Sequence, residues 1–120
     1  MAKTQLDLVT MALRKLNVVD ATESPSAEDD AFADSVYETK RAELVDKGLC
    51  YWAANSIPDV VFLAMVNILA GELATAFGMT VPTEMDDNGQ AVAINVRGLR
   101  DLRRHMAKRE ADEPTKAVYF

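Results

Sequence analysis

The sequence predicts an all-α protein, built as a four-helix bundle with an extended C-terminal tail. Three observations predict it. Apolar residues recur at helical spacing in four segments. The first three segments are bracketed by a capping or turn-starting residue and a breaker. No segment alternates apolar and polar residues as a half-buried strand would, and Asn88-Gly89 is flanked by Asp86-Asp87 and a helical pattern instead of alternating apolar runs.

The first helix is predicted from about Thr4 to Leu16, with Thr4 as N-cap and Leu6, Val9, Leu13 and Leu16 on one stripe. Asn17 through Pro25 reads as a loop. The second helix starts at Ser26, whose hydroxyl can cap free amides, while Glu28, Asp29 and Asp30 place negative charge at the positive end of the helix dipole. It runs to about Lys47 and ends near Gly48, a natural residue for the left-handed position that closes a helix. Its apolar residues Ala27, Ala31, Ala33, Tyr37, Leu44 and Val45 spread over a wide arc, with Phe32 and Val36 pointing elsewhere. That pattern predicts two contact surfaces, one of them between molecules.

Leu49-Cys50-Tyr51-Trp52 separates the second helix from the third. Pro58 and Asp59 suit a first helical turn, and Gly78 terminates the helix after Phe77. Beyond its first turn this helix is apolar nearly all round, which predicts the central core element. Asn67, Gly71 and Thr75 form a narrow seam where another backbone can approach. The fourth helix is expected to begin between Pro82 and Gln90, with Val92, Val96, Leu99, Leu102 and Met106 facing the core. Arg97, Arg100, Arg104 and Lys108 share another face, with Arg103 and Arg109 nearby. The chain divides into a helical domain over 1–109 and an extended arm over 110–120.

A chain of 120 residues fits one domain with a modest core. The formal charge of -6 disfavours a protein whose main task is gripping nucleic acid. Its distribution is uneven: residues 1–60 hold eleven acids against six bases, and 61–120 hold eight against seven. The single cysteine allows no intramolecular disulfide. The run from Val60 to Val66 is stopped by Asn67 and Glu72, short of the ~18 apolar residues of a membrane span. No membrane partner is expected.

The inventory for catalysis is thin, and the expectation is a protein that is not an enzyme and takes no cofactor or metal. The single histidine, His105, lies four residues after Asp101 on a strongly basic helix and reads as a surface residue. Cys50 has no base near it in sequence to form a thiolate and reads as a small buried apolar residue. No Cys/His pair stands at metal-ligand spacing and no Gly-rich phosphate loop is present. The acids Glu28, Asp29, Asp30 and Asp34 are a candidate acidic interface. Arg97, Arg100, Arg103, Arg104, Lys108 and Arg109 are its candidate basic counterpart, facing either a neighbouring subunit or DNA. A protein with one acidic and one basic side can assemble head to tail, and closes into a ring when the rotation permits. Val118-Tyr119-Phe120 ends the tail with apolar bulk that either folds back onto its own core or docks in a groove on a partner, and the polar run Glu110 to Pro114 before it favours docking.

Three motifs in order carry a family likeness. Ala12-Leu13-Arg14-Lys15-Leu16-Asn17-Val18-Val19 resembles the first-helix signature of tailed-bacteriophage head-to-tail connector (adaptor) proteins. The family includes the packaged-DNA-stabilising tail accessory factors, and tail tubular proteins are related. Ala42-Glu43-Leu44-Val45 through Tyr51-Trp52-Ala53-Ala54 is similar to its helix-then-Trp segment. Ile57-Pro58-Asp59-Val60-Val61, Leu69-Ala70-Gly71-Glu72-Leu73-Ala74 and Phe77-Gly78 are similar to its third helix. The likeness spans about residues 4–108. Asn17 stands where glycine is usual and Phe77 where tyrosine is usual; asparagine tolerates the left-handed conformation that the glycine supplies.

The resemblance implies a structural subunit of a ring, usually a dodecamer, that joins the portal protein to a downstream tail or nozzle protein. It implies a ring that extends the DNA channel and retains packaged DNA without reading its sequence. The location implied is the head–tail neck of the virion, with the host cytoplasm before assembly. The arm would clip onto the portal through Ala117, Val118, Tyr119 and Phe120. The alternative reading of the residues is a small helical DNA-binding protein, such as a terminase small subunit or helix-turn-helix regulator, using Arg97 to Arg109 on phosphates.

Overall fold

The computed structural model describes residues 2–18 and 25–111. It is mainly helical, with four helices and two short antiparallel strand pairs. Helix α1 spans Gln5–Lys15. Thr4 caps it as the sequence predicts: its Oγ1 accepts from the Asp7 amide, and the Asp7 carboxylate accepts from the Thr4 amide in return. Asn17, at φ 59, turns the chain out of the helix in the left-handed conformation, and Val18 N–H reaches back to Leu13 O.

Helix α2 spans Ala27–Asp46, capped by the Ser26 hydroxyl on the Asp29 amide and closed by Gly48 at φ 74. Helix α3 spans Asp59–Ala76, with Pro58 as its N-cap and Gly78 just beyond its end. Both lie within a residue or two of the predicted bounds. Helix α3 is the central element, packing on α1, α2 and α4. By length and composition it is apolar enough to cross a bilayer, but 67% of it is buried inside the protein. Val60 and Leu63, on the outer side of its first turns, are 72% and 69% exposed, so its apolar character exceeds what the core uses.

The expectation of no strands is overturned. Strand β1, Ala2–Lys3, pairs antiparallel with β2, Ile57–Pro58, at the entrance to α3. Strands β3, Thr83–Met85, and β4, Ala91–Ala93, form a hairpin with Glu84 opposite Val92. Asn88-Gly89 is its turn. Gly89, at φ 77, donates to Asp86 O, and Asp86 N–H donates to Gln90 O. The Asp86 carboxylate, which argued against a hairpin from sequence, builds the turn by accepting from the Asn88 and Gln90 amides.

The hairpin delays the fourth helix. Helix α4 spans Ile94–Ala111, beginning after the predicted window, and its rotation differs from the predicted stripe. Ile94, Gly98, Leu102 and Met106, four residues apart, face the core, while Val96 is 47% exposed and Leu99 half-buried. Gly98 sets the packing of α4 on α3. A methyl built on it would stand 2.6 Å from the Ala64 carbonyl oxygen. One on Gly71 would collide with Asn95 Cβ, so at Gly71 the Asn67–Gly71–Thr75 seam receives the Asn95 side chain where a backbone was expected. The arm expected beyond residue 109 lies outside the described residues, apart from the last turn of α4.

The core is continuous. Leu8, Val9, Ala12 and Leu13 from α1, Ala33, Tyr37 and Leu44 from α2, nine positions of α3, and Ile94 and Leu102 from α4 close on one another. No polar or charged residue among those described is buried in it.

Candidate functional site

The predicted basic face exists, and much of it is already engaged within the chain. Arg97 donates to the Met85 carbonyl and lies 3.9 Å from Glu84. Arg100 lies 3.6 Å from Asp86, and Arg104 lies 4.0 Å from Asp87 and 3.8 Å from Asp101. Positions 97, 100 and 104 fall on one side of the helix, and the hairpin lies along that side. Glu84 also takes Lys15 of α1 at 3.3 Å, so the hairpin bridges α1 and α4. Ion pairs so near the surface add little stability one by one. Their larger effect is to place acids beside the arginines. Arg103 and Lys108 are exposed and make no ion pair among the described residues.

Two amide hydrogen bonds into Asp86, from Gln90 first and Asn88 second, hold its carboxyl below the usual carboxylate range. A carboxylate depressed by folding contributes stability above its unfolded pKa, and that contribution is lost as pH falls through the lower folded value. The hairpin turn is therefore expected to loosen only well into acid. Amide shifts of Asn88 and Gln90, followed by NMR as pH is lowered, should move together with a midpoint below that of an ordinary aspartate. A midpoint at the ordinary value would contradict the turn geometry.

The acidic candidates divide. Glu28 is exposed and free of ion pairs among the described residues, and Asp29 stands in the capped first turn. Asp34 is turned toward α1, where it accepts from Gln5 Nε2 at 2.9 Å, and Asp30 is half-buried. The outward stripe of α2 instead runs through Glu28, Ala31, Ser35, Glu38, Ala42 and Asp46, opposite the buried Ala33, Tyr37 and Leu44. Phe32 lies toward the end of α3. It packs against Phe77 at 5.5 Å between ring centroids and remains 41% exposed.

The segment between α2 and α3 is pinned from several sides. Tyr37 Oη donates to Ala54 O at 2.9 Å, Arg41 to Trp52 O, and the Gln5 amide to Asn55 Oδ1. Trp52 joins the core. Cys50 is half-buried against the core, its thiol donating to Trp52 O at 3.6 Å; burial pushes its pKa up, away from the reactive thiolate. His105 has Tyr51 as its partner, not Asp101. Tyr51 Oη lies 3.0 Å from His105 Nε2, the rings stack at 5.9 Å, and the Arg109 guanidinium lies over the Tyr51 ring at 3.9 Å.

On the α2–α3 side, Lys40 bridges Glu43 at 2.7 Å and Glu72 at 3.0 Å. Burial works against its charge, but the two carboxylates outweigh burial and raise its pKa. Among the described residues no three His, Cys, Asp or Glu side chains are placed together to hold a metal ion. Ala117, Val118, Tyr119 and Phe120 lie outside the described residues.

Two shallow grooves were missed from sequence. One lies between α1, α3 and the hairpin, floored by Met11, Leu63, Val66 and Met85. The other runs along the outer face of α4 through Val96, Leu99 and Ala107, edged by Arg100, Arg103 and Arg104. The signal for the second was the placement of Val96 on the same side as Arg100 and Arg103, readable only once the helix start is known. No family model, curated protein or solved structure matches this chain.

Proposed function

We propose that the chain is a structural subunit of an oligomeric ring that joins a phage portal to its tail. In this reading residues 1–109 are a four-helix bundle and 110–120 are the arm that clips the portal. The observation that carries it is the convergence of the three signature segments on one core. Leu13 and Leu16 from the first, Leu44 and Trp52 from the second, and Ile57, Leu69, Leu73 and Ala74 from the third are members of the same buried cluster. The ring extends the DNA channel and helps retain the packaged genome, without catalysis.

The arm binds as one of many. A short clip holding Val118, Tyr119 and Phe120 is weak alone, but copies around a ring act at high local concentration on a symmetric portal. The DNA-binding alternative asks α4 to meet phosphate with arginines that already neighbour Glu84, Asp86, Asp87 and Asp101.

The test is to mix the protein with portal rings of the same virus and image the product. A second ring stacked on the portal is expected, and deletion of 117–120 is expected to abolish it while leaving the melting curve unchanged. No association by the full chain overturns the reading. Steeply salt-dependent DNA binding by the free protein would favour the alternative.

A further inference from the structure

We infer that the outer groove of α4 is the docking face for the outer stripe of α2 from a second copy of this chain. The inference rests on the ring reading and names the contact that would build the ring. The α4 groove has a floor of Val96, Leu99 and Ala107, and its edges carry Arg100, Arg103 and Arg104. It is shallow and apolar at its centre, with positive charge on its rim. Such a face fits a narrow, negatively charged helix whose central residues are small.

Helix α2 presents that surface. Its solvent side carries Ala31, Ser35 and Ala42, with Glu28, Glu38 and Asp46 interleaved. These three acids make no ion pair among the described residues. The small side chains let a second helix approach closely, as Gly71 and Gly98 do inside the subunit, and the acids then meet the arginine rim. Helix α4 packs mainly on α3 and α2 on α1 and α3 alike, and both outer faces are turned toward solvent, so the match is made between chains. A contact between two different faces of identical subunits is head-to-tail and propagates until it closes. One helix pair is small beside the ~1,600 Å² of a standard stable interface. Closure compensates, because each subunit in a ring is held on both sides.

This contact moves the acidic interface from Asp29, Asp30 and Asp34 to Glu28, Glu38 and Asp46. It also selects Arg103 as the cation most available to a partner, since the hairpin acids already neighbour Arg97, Arg100 and Arg104.

Charge reversal tests it. Glu38→Arg and Arg103→Glu each alter an exposed side chain without an ion pair among the described residues, so both variants should melt as the parent does. Each alone is expected to lower self-association about tenfold or more, read by sedimentation of the full chain alone and on portal rings at low salt. Mixing the two variants in equal amounts is expected to restore assembly. In an alternating ring, the reversed charge at position 38 of one variant meets the reversed charge at position 103 of the other, and the remaining contact is the parental pair. Single variants that assemble as the parent does, or a mixture that fails to recover, would overturn the contact while the ring stands. A parent chain that self-associates neither alone nor on portal rings overturns both.

Discussion

Gly98→Ala is expected to destabilise the protein by about 1–3 kcal/mol, although alanine is the better helix former by about 1 kcal/mol. The added methyl would stand 2.6 Å from the Ala64 carbonyl oxygen and 2.9 Å from an Ile68 side-chain carbon. The oxygen belongs to the hydrogen-bonded backbone of α3 and cannot rotate aside, so the two helices must separate. Their separation loosens Ile94 and Leu102 together, because both are buried between the same helices. A loss of that size corresponds to a fall in melting temperature of about 4–12 °C for a domain of this size. Thermal unfolding by circular dichroism measures it directly. An unchanged or raised melting temperature would mean that α3 and α4 do not cross at this point.

Tyr37→Ala is expected to cost about 3–5 kcal/mol, and Tyr37→Phe about 1–2 kcal/mol. The tyrosine is fully buried, and its hydroxyl donates to Ala54 O. Truncation removes the largest fully buried side chain and releases the loop that carries Trp52 into the core. The phenylalanine variant isolates the second effect. It keeps the ring and leaves Ala54 O without its phenolic donor, so Trp52 fluorescence should report a freer loop at nearly full stability. Equal losses for the two variants would assign the whole effect to the hydroxyl.

The legible part of the fold was the part written in local chemistry. Thr4, Ser26 and Pro58 start helices and Asn17, Gly48 and Gly78 end them through local backbone and side-chain bonds, so α1, α2 and α3 were readable. The hairpin was not. Strands of three residues are too short for an alternating pattern to stand out. The same Asp86 that made Asn88-Gly89 look helical is the side chain that forms the turn. Missing the hairpin misplaced the start of α4, and with it the face on which Val96 sits. The arginines were recognisable as a face, but their acidic neighbours were not, because contacts such as Lys15 with Glu84 form only through tertiary structure. The close contact at Gly98 was unreadable for the same reason: the helix that touches it has already ended at Ala76.

The pairing of Ala2–Lys3 with Ile57–Pro58 has a consequence for how the chain folds. These strands enclose α1 and α2, yet the apolar surface that both helices cover belongs to α3, which follows Pro58. During synthesis the first half of the chain emerges as two helices with little to bury them, and helices in proteins owe most of their stability to tertiary packing. The core forms only when α3 arrives, and the strand pair then ties the start of the chain to the base of that helix. Folding is therefore organised from the middle outward, and the N-terminal residues are among those whose order depends on sequence made long after them.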